Sequence, residues 1–256
     1  MDNLTFYPHQ FNLIRGIFME SNMNGYEPYH GNGYEYNAEQ VVQQVMSRTF
    51  LYMFGVLLLS GLSAYLTFST DLLYTIAANR TLFYGLLIGE LVIVFAANKV
   101  LSNNQTVPAA LLLIAYSVVN GMTLSFVFAV YELGSVVNIF VIAALVFGAM
   151  AIFGFVSKKD LSSIGSIGMM GLFGIIILGV ANIFMKSSSL SLGIAIVGLA
   201  VFIGLTAYDT QKIKESASYD SGLSVNTLAM FGALTLYLDF INMFLKLLRL
   251  FARRND

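Results

Sequence analysis

The chain of 256 residues contains no cysteine. Disulfides, thiolate nucleophiles and thiolate metal sites are therefore excluded. Its two histidines, His9 and His30, lie in the polar N-terminal region, so imidazole chemistry is absent from the rest of the chain. Charged residues make up only 11%, against roughly 25% in soluble domains. The net charge is −1, and no long basic run exists to attract nucleic acid. What is abundant is apolar surface: 57% of residues are hydrophobic and the mean hydropathy is +0.77. That composition predicts an all-α integral membrane protein, with the lipid bilayer as its first partner.

Residues 1–48 are rich in Asn, Gly, Tyr and Gln and show no sustained periodicity, which predicts a disordered polar tail. Met19 or Met23 is an alternative start. Residues 49–256 read as a single transmembrane domain. Seven apolar runs are predicted at about 50–68, 82–101, 108–131, 136–156, 164–185, 190–209 and 228–248, each near the 20 residues that cross a bilayer core. Pro108 falls in a first helical turn, where proline is tolerated. The glycines at 165, 168, 171 and 174, and at 193, 198 and 204, are expected to let helix backbones approach closely. The first apolar run starts too far into the chain for an ordinary secretory signal.

Lysine and arginine near the membrane edges set the orientation. Arg48, Lys99, Lys158, Lys159, Lys212 and Lys214 share the N-terminal side, and only Arg80 and Lys186 fall in the opposite loops. The N-terminus is thus expected in the cytoplasm. Lys246, Arg249, Arg253 and Arg254 even out the count on the far side. A short last helix that does not fully span would restore the bias.

Few ionisable groups remain inside the apolar runs. Asp239 lies mid-run, where a carboxylate costs roughly 2.5–3.5 kcal/mol on insertion scales and must face protein or a wet cavity. Asp209, which closes the preceding run, is the expected partner, because two acids in contact share a proton. Glu90 is a candidate for a polar pathway or an interhelical hydrogen bond. Asn242, Tyr208 and Tyr237 offer further polar groups near Asp239, and Lys99 a nearby cation. The chemistry of known membrane proteases is missing: there is no Gly-x-Ser-x-Gly turn with a membrane histidine, and no Gly-Asp setting for an aspartyl pair. Neither an enzyme nor a cofactor is expected.

The segments Thr206-Ala207-Tyr208-Asp209-Thr210-Gln211 and Leu236-Tyr237-Leu238-Asp239-Phe240-Ile241-Asn242-Met243-Phe244 resemble the paired motifs of the Bax inhibitor-1 family in its bacterial branch. The resemblance spans about residues 40–250. It implies two groups of three helices around a central last helix, and a pH-sensitive calcium leak with Asp209 and Asp239 as sensor and transient calcium ligands. It also implies a basic latch after the second helix, here Lys99 in place of the usual arginine. Lysine lacks the planar fork needed to clamp two carboxylates. Two other functions stay open at this point: a regulatory partner of another membrane protein such as a quality-control protease, and a proton-coupled transporter of a different solute. The direction of pH gating is likewise open.

Overall fold

The computed structural model describes residues 38–219 and 222–255. Most of the predicted N-terminal tail lies outside the described residues, but 38–48 are helical, so the first helix begins before the tail was expected to end. The helices are α1 (Ala38–Ser69), α2 (Leu72–Ala78), α3 (Arg80–Ser102), α4 (Thr106–Val130), α5 (Leu133–Val156), α6 (Ser162–Met185), α7 (Ser188–Ser218) and α8 (Val225–Phe251). All except α2 are long and apolar enough to cross a membrane, as the seven runs predict. The short α2 carries only seven residues, too few to stand out in an apolar window. Helix α7 continues nine residues past Asp209, so that acid sits within a helix and does not end one.

Short polar side chains set several of the helix starts. Asn79, Ser187 and Ser224 accept from the backbone N–H of Leu82, Leu190 and Thr227, satisfying donors that the first turn leaves open. Before α6, hydrogen bonds from the Ser162 side chain and from its backbone N–H (2.8 Å) hold the exposed carboxyl of Asp160 below the ordinary carboxylate range. Asn104 takes a positive φ of 56° between α3 and α4, a conformation asparagine tolerates. Its Oδ1 accepts from the Ser224 N–H (3.0 Å) and the Thr227 hydroxyl (2.8 Å), fastening that loop to the start of α8.

Packing divides the bundle as the family resemblance implies. Helices α1, α3 and α4 form one group and α5, α6 and α7 the other, while α8 packs on members of both. In its most apolar stretch α8 is 61% buried inside the protein, against 6% for α3 and 11% for α6, which makes α8 the core of the fold. Phe240 of α8 meets Phe140 and Phe147 of α5 edge to face, at 5.3 and 5.6 Å between ring centroids. Five of the glycines expected to mediate packing do so: Gly165, Gly168 and Gly171 of α6 lie against Tyr208, Leu205 and Val201 of α7, and Gly198 and Gly204 of α7 lie against Lys246 of α8 and Ile164 of α6. Gly174 and Gly193 face open space.

The last helix corrects the idea of a short, non-spanning end. It runs 27 residues, and the segment after it docks on the loop between α4 and α5. Glu132 N–H donates to the Arg253 carbonyl (3.1 Å), Asn255 N–H to the Val130 carbonyl (3.0 Å), and Tyr131 and Arg254 form an antiparallel bridge. At the other end of α8, Asn226 Oδ1 accepts from Arg48 Nη1 of α1 and from the Tyr52 hydroxyl. The basic C-terminal segment therefore lies opposite the start of α8. Reporter fusions at residues 160 and 215 should both read cytoplasm, and a fusion at the C-terminus should read the far side; a far-side reading at 160 would refute this orientation.

Candidate functional site

Asp239 is the fifteenth of 27 residues in α8, its side chain 5% exposed. It faces α7, where its carboxyl group lies against that of half-buried Asp209. Two carboxyl groups in contact hydrogen-bond to each other only when one of them carries a proton. The Oδ2 of Asp239 is buried with no hydrogen-bond partner. Such an orphan acceptor is costly. The two acids expected to meet lie side by side, with Asp209 inside a helix and not at the end of one.

Gln211, two residues beyond Asp209, anchors this part of α7. Its Oε1 accepts from the Leu161 N–H (2.8 Å) and its Nε2 donates to the Lys159 carbonyl (2.8 Å), tying α7 to the loop between α5 and α6. Lys214 Nζ donates to the Phe155 carbonyl at 2.7 Å on the same side. Tyr208 turns its ring to Gly165 of α6, and Asn242 donates back to the Leu238 carbonyl at 2.9 Å.

On the opposite face of α8, Tyr237 belongs to a second polar network. Its hydroxyl donates to Asn120 Oδ1 of α4 at 2.7 Å and lies 2.7 Å from the Ser60 hydroxyl of α1. Asn120 Nδ2 in turn donates to Glu90 Oε2 of α3 (3.1 Å), and the Thr123 hydroxyl donates to Glu90 Oε1 (2.6 Å). The network joins all three helices of the first group to α8. Glu90 and Tyr237 were legible as candidates. Ser60, Asn120 and Thr123 were missed, because small hydroxyl and amide side chains in apolar runs carry no signal until a helix pairing is known. Tyr237→Phe leaves Asn120 Oδ1 buried without its donor, a loss of about 1–3 kcal/mol in water and less between membrane helices. A lower melting temperature of the purified variant is the expected result; an unchanged midpoint would show the network to be energetically idle.

Lys99 is exposed near the end of α3, and α3 does not pack on α7. Helix α3 does pack on α8, yet among the described residues the Lys99 ammonium forms no ion pair with either acid. No group of three or more His, Cys, Asp or Glu that could hold a metal occurs among the described residues. Asp209 and Asp239 alone would offer a cation carboxylate oxygens, hard ligands of the kind calcium takes.

Residues 42–256 match the sequence model of the family described as inhibitor of apoptosis-promoting Bax1. The inner membrane protein YbhL of Escherichia coli is 36% identical over 217 residues, covering 83% of this chain and 93% of its own. Uncharacterised proteins of Deinococcus radiodurans and Borreliella burgdorferi are each 37% identical, over 82% and 84% of this chain and 90% and 95% of theirs. With a helical bundle wrapped around its last helix and two motif aspartates meeting inside it, the chain belongs to the Bax inhibitor-1 family.

Proposed function

We propose that this protein is a pH-sensitive calcium leak of the bacterial inner membrane, gated by the Asp209–Asp239 pair. The observation that carries the reading is the contact of two carboxyl groups inside an apolar bundle, with one oxygen of Asp239 left without a partner. A shared proton holds α7 against α8 and keeps the path closed. When the proton leaves, the two anions repel across the seam between these helices, and the freed oxygens suit a hard divalent cation. Flux therefore rises with pH as the pair ionises. The inner-membrane location is supported by the printed name of the Escherichia coli relative.

A role in transport rather than catalysis accords with the inventory of polar side chains. Apart from the acid pair and the Glu90 network, the bundle interior offers hydroxyls and amides bonded to helix backbone, such as Thr206 to Phe202 and Thr210 to Thr206. The test is calcium flux through the purified protein in liposomes, followed across pH. Saturable, pH-dependent flux above that of empty vesicles is expected; its absence would overturn the reading.

A further inference from the structure

Besides the acid pair, contacts mark the seam between α7 and α8 at two further levels. Toward the far side, Gly198 of α7 meets the stem of Lys246 of α8, eleven and seven residues from the two acids. Toward the side expected to face the cytoplasm, Ile213 of α7 meets Gly232 of α8, four and seven residues from them. Successive spanning helices run antiparallel, so residues advancing along α7 meet residues retreating along α8, and the three levels follow in one order. Steps of four and seven residues return to the same side of a helix. Ile213 and Gly232 therefore lie on the faces that carry Asp209 and Asp239.

At the cytoplasmic level a third helix closes the seam. A Cβ at residue 232 would lie 2.9 Å from Thr49 Oγ1 of α1, and 3.0 Å from both Thr49 Cγ2 and Ile213 Cδ1. The two side chains thus meet over bare backbone, and any larger residue at 232 would have to displace them. The Thr49 hydroxyl donates to the Ala229 carbonyl of α8 at 3.3 Å, which fixes α1 to the central helix there. Thr49 and Ala229 are wholly buried and Ile213 nearly so, whereas Asp209 is half-buried. Toward the cytoplasm the layer is backed by Val45 of α1 and Ala217 of α7, both wholly buried in the same apolar cluster as Ile213. With its hydroxyl spent on helix backbone, this layer offers an arriving ion only methyl groups and covered main chain.

We propose that Ile213 is the cytoplasmic gate of the path through the acid pair: seated on Gly232 beside Thr49, it closes the seam between α7 and α8, and it leaves that seat when α7 moves off α8. This rests on the pair lying on the ion path. Thr49 stays with α8 through its bond to Ala229, so the moving part is Ile213. One turn of helix joins it to Asp209, and a displacement of that acid from Asp239 carries the isoleucine with it. No charge is needed at the gate. Its barrier is the cost of taking a hydrated cation through a dry apolar constriction.

The test uses the absence of cysteine from the chain, which lets a single introduced thiol report access. Thr235 of α8 lies between Gly232 and Asp239 on the gated face, and cysteine is close to threonine in size. The full chain carrying Thr235→Cys is placed in inverted vesicles of bacterial inner membrane, whose cytoplasmic face points outward, and treated with a charged, membrane-impermeant methanethiosulfonate. Rates are compared at one pH, because thiol reactivity follows the thiolate fraction. Adding Ile213→Ala should raise the labelling rate about tenfold. Ile213→Val, a milder change that removes only the methyl resting on Gly232, should raise it about threefold. Unchanged rates at residue 235 in the folded Ile213 variants overturn the proposal. Tyr219→Cys, exposed just beyond α7, should label at one rate in every background. No labelling there would put the gate on the wrong side of the membrane and overturn its placement as well. Calcium flux in liposomes is measured separately. Faster labelling without any flux keeps the gate and removes the leak, whereas pH-dependent flux with unchanged labelling does the reverse.

Discussion

Asp239→Asn and Asp209→Asn are each expected to flatten the pH response of calcium flux between about pH 5 and pH 8, the range in which a proton-sharing carboxyl pair titrates. An amide neither ionises nor repels its neighbour, so either substitution leaves one ordinary acid beside a neutral hydrogen-bonding group. The pair's coupled loss of a proton then has nothing to couple to. The double variant should behave much like either single one, because two residues that act as a unit are not additive. If both acids were independent packing residues, each single variant would keep the natural pH profile and their stability losses would add. Retention of that profile in either folded variant would remove the pair from the gating mechanism. Of the two, Asp239→Asn should also have the clearer effect on stability, since Asp239 is the more deeply buried and carries the unpartnered oxygen.

The acid pair was legible in the sequence because the membrane makes a mid-helix carboxylate expensive, and an expensive group announces a partner. The number of spans was legible for a related reason: every apolar run of about 20 residues must satisfy its backbone as a helix. What the sequence could not supply was lateral arrangement. The Glu90 network depends on Ser60, Asn120 and Thr123 facing one another across three helices, and each alone reads as a polar residue bonded to its own backbone. Lys99 looked close to Asp209 because their spans end on the same side, yet depth along the membrane says nothing of azimuth. The structure sets α3 away from α7. The glycines on α6 were legible as a stripe, but the tightest approach in the second group falls elsewhere, at a single glycine of α5.

Gly154→Ala is expected to cause one of the largest stability losses of any one-carbon change in this chain, and to disturb the acid pair from outside it. A Cβ at residue 154 would land on the Ala207 carbonyl, with the Ala207 carbonyl carbon at 2.9 Å and its Cα at 3.0 Å. These are backbone atoms of α7, so no side chain can rotate away to make room, and the two helices must separate. Overpacking of this kind costs about 1–3 kcal/mol where a core can adjust, and more where backbone meets backbone. Ala207 is two residues from Asp209, and Gln211 and Lys214 tie the same turns of α7 to residues just beyond Gly154. Displacing α7 there moves Asp209 relative to Asp239 on the fixed central helix. A lowered melting temperature in detergent, together with altered pH dependence of flux, is therefore expected. Gly174→Ala provides the contrast: it has the same chemistry in an adjacent helix, but nothing lies within 4 Å of the added carbon. It should leave stability unchanged or raise it by up to about 1 kcal/mol, the helix-propensity gain of alanine over glycine. Equal melting temperatures for the two variants would mean that the contact between α5 and α7 at Gly154 does not set the position of the pair.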